Sequence, residues 1–317
     1  MEDLFNHFYS NGALLVLWGA LIFHLILPFP REAHPAVLWH KFAEQLAEKV
    51  NTNQPYSQRL LSGTLAWLLM MVPLFIVLIA LKPLVWQPQL FELALLLLAI
   101  DWRNTDKFVA PFIAALARED KEHAKMLLKP IVNRSTPQLS LLGLGKAGTE
   151  TLTMAYGRNV IGVLFWYAVG GGIGALIYRM AIELSRAWSP SRQRFSPFGL
   201  AAIRAAAVLD FVPLRLFALL IACGNQCFTV ITQIKQQARS WPLPGPSWLL
   251  IAIGTKLELS LGGPAIYDGS KMVRAKLGGR IAPSAFHIAQ AQRLLAWRIF
   301  AWIVIQSVIM SIIYQGF

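Results

Sequence analysis

Long apolar runs alternate with basic, polar stretches along this chain. Gly12 to Phe29 is apolar except for His24. Thr64 to Leu81 carries no charge over 18 residues, enough for about 27 Å of helix at 1.5 Å per residue. Val160 to Tyr178 is uncharged and rich in glycine. Ile299 to Tyr314 is uncharged too, interrupted only by Gln306, Ser307 and Ser311, and needs Leu294 to Arg298 to reach spanning length. Two runs are weaker. Leu90 to Ile100 has 11 residues and contains Glu92, which predicts a short or interfacial segment. Ala205 to Cys223 carries Asp210, Pro213 and Arg215, which predicts a span lining a polar cavity. The pattern predicts an all-α, polytopic integral membrane bundle, one domain over 1–317, with roughly four to six membrane segments and helical cytoplasmic loops.

The polar segments are 30–63, 101–158, 179–204 and 225–293. Phe108, Phe112, Ala115, Leu116, Met126 and Leu127 follow one stripe, which predicts a helix over 106–129. Pro130 bounds or kinks it, and the charges from Glu119 to Glu122 read as its solvated face. Pro242, Pro244, Gly245 and Pro246 predict a loop over Ser240 to Ser247. Leu261-Gly262-Gly263-Pro264-Ala265-Ile266-Tyr267 falls in a basic, mostly non-spanning stretch. Glycine permits close backbone approach and positive φ, and proline fixes its own φ, so this stretch shapes a loop.

Composition agrees with the membrane reading. The chain is 56% hydrophobic with mean hydropathy +0.51, and only 14% of its residues are charged, against about 25% in soluble domains. The net charge of +13 is concentrated between the spans. Basic loops tend to stay in the cytoplasm. With the acidic flank Met1-Glu2-Asp3 outside, 31–59 and 101–158 fall inside. Simple alternation then places 179–205, with its five basic residues, outside. A break and re-entry at Gly170-Gly171-Gly172 removes that conflict. The first run reads as a retained span, because its flank is acidic and no small-residue cleavage pattern follows it. The bilayer and an anionic small molecule are the expected partners, and nucleic acid is not. A homo-oligomer or a membrane-protein partner stays open.

Few residues carry obvious chemistry. Glu150, Glu183, Asp210 and Glu258 are the acids near membrane segments, where an unpaired carboxylate is costly. Asp210 and Arg215 stand about 140° apart on a helix, so they pair only if Pro213 distorts it. Gly143 to Thr149 fails the spacing of a phosphate loop, and no HExxH, GxSxG or DFG-like pattern occurs. Cys223 and Cys227 lie four apart without a companion Cys or His cluster, and read as inert.

The ordered motifs add a resemblance. His34-Pro35 is followed by Val132-Asn133-Arg134-Ser135-Thr136-Pro137-Gln138-Leu139 and by Glu150-Thr151. Next come Leu164-Phe165-Trp166 leading to Gly170-Gly171, then Val212-Pro213-Leu214-Arg215-Leu216 and Leu261-Gly262-Gly263-Pro264. Over nearly the whole chain this order resembles the CobD/CbiB family of cobalamin biosynthesis. The resemblance implies a multi-pass protein of the bacterial inner membrane. It implies an adenosylcobinamide-phosphate synthase, joining adenosylcobyric acid to aminopropanol phosphate with ATP and Mg²⁺, with a corrinoid as substrate. Carried over residue by residue, it makes Glu150 catalytic, as base or metal ligand. His34, Arg134, Thr136, Arg204, Asp210, Arg215 and Lys271 bind substrate or phosphate, and Gly262, Gly263, Pro264 and Tyr267 line the cavity. No set of metal ligands is assigned.

Several family acids are missing. A Gly-Arg-Asp-Thr motif reads Asn133-Arg134-Ser135-Thr136, a Glu-Asn-Thr-Val-Asp-Gly motif reads Met154-Ala155-Tyr156-Gly157-Arg158-Asn159, and an Arg-x-Asp-Asp motif reads Arg204-Ala205-Ala206-Ala207. Arg158, where the family has an acid, would oppose a metal. These losses suit a second resemblance, to AmpE-type inner-membrane regulators, carried by Leu209 to Leu216. That alternative implies a non-enzymatic signalling protein, and a transporter is a third reading. Either family reading predicts that the arginines share one concavity.

Overall fold

The computed structural model describes residues 12–26, 35–53 and 55–314. The helices are α1 (Gly12–Ile26), α2 (Pro35–Val50), α3 (Tyr56–Leu81), α4 (Pro88–Ala99), α5 (Arg103–Ala117), α6 (Lys121–Leu128), α7 (Leu141–Tyr156), α8 (Val163–Ala187), α9 (Leu200–Ala222), α10 (Cys227–Gln237), α11 (Pro244–Lys256) and α12 (Ala285–Tyr314). Among the described residues, four helices are long and apolar enough to cross a membrane: Tyr56–Leu84, Leu141–Ala187, Leu200–Ala222 and Ala285–Ile313. The chain is an all-α membrane protein. α1 is apolar but shorter.

α3 turns most of its large apolar side chains outward. On α3, Gly63, Ala66, Met71 and Leu78 are buried, while Leu65, Leu69, Phe75 and Ile76 face outward. Small residues at the contact let backbones approach, and large apolar ones suit lipid. A methyl group at Gly63 would collide with the Phe198 carbonyl.

The glycine-rich run breaks its helix, and the helix resumes at Gly172. α8 is interrupted at Gly170 and Gly171, and Gly171 has φ 62° and ψ −160°, a combination essentially confined to glycine. The backbone N–H of Gly172, freed by the break, donates to the Glu92 carboxylate, and Lys82 Nζ lies 3.8 Å from that carboxylate. α4, the short segment, thus supplies a cap for the second half of α8. Its Leu95, Leu96 and Ala99 are buried in the core. A Cβ at Gly171 would also meet Glu92 Oε2 at 2.7 Å. Gly171→Ala is therefore expected to cost about 1–3 kcal/mol, read as a lower midpoint in a thermal or SDS unfolding titration. No loss would mean that the break relaxes freely.

Pro213 lies inside α9 and has no N–H, which frees the carbonyl of Leu209. The indole Nε1 of Trp166 donates to that carbonyl at 3.1 Å. Between α7 and α8, residues Gly157–Gly162 form a π-helical turn, a widening found often at functional sites. It joins α7 to α8 without a loop.

Three local expectations are corrected. The helix expected over 106–129 is two helices, because Glu119 adopts φ 56° and Asp120 Oδ1 accepts the His123 N–H at 3.0 Å, starting α6 afresh. The loop expected over 240–247 ends at Leu243, because Pro244 opens α11, where a missing N–H costs nothing. The loop around Gly262 is partly sheet. β1 (Ser260–Gly262) pairs antiparallel with β4 (Lys276–Gly278), and β2 (Ala265–Tyr267) with β3 (Ser270–Met272).

Candidate functional site

A cleft of about 1220 Å³ lies among α2, α5, α7, α8 and the start of α9, overhung by 240–243 and 267–275. Lys41, Arg134, Arg158, Arg179, Arg186, Arg204 and Arg274 line it, against Glu44, Asp101, Glu150 and Glu183. Cations outnumber carboxylates, so the hollow attracts anions.

Glu150 is the anchor of one wall. It is buried on α7, and its Oε2 accepts from Arg134 Nη2 at 2.9 Å and from Arg274 Nη2 at 3.4 Å. Its Oε1 accepts the Gly262 N–H at 2.8 Å. Gly262 has φ 70°, and a Cβ there would collide with the Ala275 carbonyl. This explains the glycine: it lets the backbone come down onto the carboxylate. Arg274 Nε donates to the Gly263 carbonyl at 3.0 Å, and its guanidinium lies over the Trp241 ring. Ser135 N donates to the Ile266 carbonyl, tying the Arg134 loop to the same hairpin.

The floor is an ion-pair chain on α8. Arg179 Nη2 lies 3.3 Å from Asp101 Oδ2 and 3.0 Å from Glu183 Oε1, and Arg186 Nη1 lies 3.5 Å from the same oxygen. Behind it, Arg158 Nη2 is 2.7 Å from Asp210 Oδ2, and Tyr178 Oη donates to Asp210 Oδ1 at 2.8 Å. The π-helical turn holds this region, since Asp101 N donates to the Asn159 carbonyl.

Burial pushes the His40 imidazole below its ordinary value of 6.5, Glu183 and Glu44 pull it up, and Arg186 and Arg192 push it down again. A lowered folded value means that the unfolded chain binds more protons below about pH 6.5, so stability falls as pH drops through that range. His40→Gln is expected to flatten the fall of the unfolding midpoint between about pH 7 and pH 5. An unchanged pH profile would exclude His40 as its source.

The predicted site residues divide. Arg134, Glu150, Arg204 and Tyr267 line the cleft. Thr136 is buried and does not line it, and Gly262 and Gly263 fasten the hairpin. Asp210 is fully buried behind the floor, and its partner is Arg158 rather than Arg215. The reason is geometric: a helix puts 210 and 215 on different faces even with Pro213 between them. Arg215, Pro264 and Lys271 do not line the cleft, and the latter two are exposed. His34 lies outside the described residues. Sequence reading missed His40, Asp101, Arg179, Arg186, Trp241 and Arg274. For Arg179, Glu183 and Arg186 a signal existed, because spacings of four and three put them on one helix face.

The carboxylates present do not fit a resident divalent ion. Glu150, Glu183, Asp101 and Asp210 are each held by guanidinium groups, and among the described residues no three His, Cys, Asp or Glu side chains converge.

Fold and cleft together define a helical membrane protein with a cationic binding hollow. The family model described as CobD/Cbib protein matches residues 17–295. The cobalamin biosynthesis protein CobD of Stutzerimonas stutzeri (strain A1501) is 32% identical over 294 residues, covering 93% of this chain and 97% of that protein. The protein of the same description from Chromobacterium violaceum is 30% identical over 302 residues, covering 92% and 95%. The chain belongs to the CobD/CbiB family of cobalamin biosynthesis proteins. These matches do not favour the AmpE-type reading. No solved structure matches the chain.

Proposed function

We propose that this chain is a multi-pass protein of the bacterial inner membrane that forms adenosylcobinamide phosphate from adenosylcobyric acid and aminopropanol phosphate. The reading rests on family membership and on one observation, the excess of guanidinium groups in a cleft large enough for a bulky acid. Each of the two substrates carries an anionic group, a carboxylate or a phosphate. Arg204 and Lys41 are exposed in the cleft wall and suit a carboxylate or phosphate arriving from solvent. Trp241, Met272 and Val273 give the overhang an apolar surface, suited to a macrocycle face.

Amide formation requires that the acid be activated. ATP would transfer its terminal phosphoryl group to the carboxylate, the amine would attack the acyl carbon, and ADP, phosphate and a proton would leave. Guanidinium groups neutralise the phosphoryl and acyl oxygens in this scheme, and no step is assigned to a protein-bound metal. Glu150 positions the hairpin and Arg274, because three donors already use its oxygens.

The test is an assay of purified protein with both substrates and ATP-Mg²⁺, beside complementation of a synthase-deficient strain for growth on cobinamide precursors. Product and growth are expected. Folded protein giving neither would remove the reading.

A further inference from the structure

Arg215 is left unexplained by the cleft. It lies on α9 among Val208, Phe211, Val212, Leu216 and Leu219, which are all exposed and recur at helical spacing. That stripe is the outward, bilayer-facing side of a spanning helix. No acidic side chain pairs with Arg215 among the described residues. Its Nε is buried and without an acceptor there. The Phe211 ring lies 3.7 Å from its guanidinium carbon and the Trp248 ring, on α11, 4.8 Å.

An arginine at this position is costly unless its charge is met. Two aromatic rings offset part of that, at about 0.5–2 kcal/mol each. A stacked ring covers the guanidinium face and accepts none of the in-plane N–H donors. Those donors match phosphate oxygens. The surroundings select the source of the phosphate. Apolar side chains flank Arg215 along the stripe, which suits acyl chains and repels a free, hydrated anion. The same stripe reaches Arg204 at the cleft, three turns away, or about 16 Å. Arginine in a span also draws headgroups inward by local bilayer thinning.

We propose that Arg215, with Phe211 and Trp248, forms a binding site for the headgroup phosphate of an anionic phospholipid, between α9 and α11 and outside the cleft. The inference does not depend on the enzymatic reading. The probe is the full chain, delipidated in detergent, with phosphatidylglycerol, phosphatidylcholine of matched chains, or sodium phosphate added. Phosphatidylglycerol is expected to raise the unfolding midpoint by about 4 °C, and the other two by about 1 °C or less. Arg215→Gln is expected to abolish the difference, and Arg215→Lys to keep part of it. Equal stabilisation by phosphatidylcholine, a full effect from sodium phosphate, or an undiminished response in Arg215→Gln would overturn the proposal. So would a change of oligomeric mass in Arg215→Gln, which would assign the surface to a protein partner. Should that variant fail to fold, native mass spectrometry of the wild-type chain from mixed bilayers decides. One retained phosphatidylglycerol enriched over its share of the bilayer is expected, and no enrichment would refute the site.

Discussion

Replacing Asp210 with alanine is expected to be the most damaging single change to the fold, costing about 3–5 kcal/mol. Asp210 has no exposure, and both of its oxygens are used, one by Arg158 and one by Tyr178. Its removal leaves the largely shielded Arg158 guanidinium at the cleft wall without the carboxylate that pairs with it, and neutralisation by losing a proton is closed to it. It also leaves the Tyr178 hydroxyl without its acceptor. Tyr178→Phe removes only one neutral donor, so a smaller loss of about 1 kcal/mol is expected. Unfolding titrations of the two variants in one detergent test the ranking. Equal losses would mean that Arg158 finds another counter-charge.

The second large effect is on binding. Under the synthase function proposed above, Glu150→Gln is expected to weaken corrinoid binding and turnover by about 100-fold, corresponding to about 2.7 kcal/mol. The neutral amide keeps an oxygen for the Gly262 N–H but loses the charge that holds Arg134 and Arg274. The hairpin over 263–275 then loses the Arg274 tie to α7, one of its attachments there. A positioning role predicts that KM rises more than kcat falls, and that Glu150→Asp does not rescue, because the shorter side chain misses Gly262. Loss of kcat alone, with KM unchanged, would return Glu150 to direct proton transfer.

The sequence made the spans legible because a bilayer demands long uncharged runs, and Tyr56–Leu81 and Ala285–Tyr314 contain the runs read from it. The kink at Gly170 and Gly171 was legible because three successive glycines weaken a helix and permit a positive φ. Other features depend on distant contacts. Nothing near Glu92 says that it will cap a half-helix eighty residues later, and nothing near Asp210 says that Arg158 is its partner. Periodicity alone does not foresee a restart such as the one at Asp120, which turns on a single positive φ at Glu119. The concavity shared by Arg134 and Arg204 was anticipated from motif order. Arg215 and Lys271, grouped with them by motif order, do not line the cleft, because motif order conveys proximity along the chain and says little about which way a side chain points.

The guanidinium groups around the cleft form two populations. Arg158 and Arg179 are mostly shielded and locked to carboxylates, whereas Arg204 and Lys41 are exposed in the cleft wall. Dissolved ions reach the second group and hardly reach the first. Raising ionic strength should therefore loosen the hold on any anion drawn to the cleft long before it loosens the protein, leaving the framework intact.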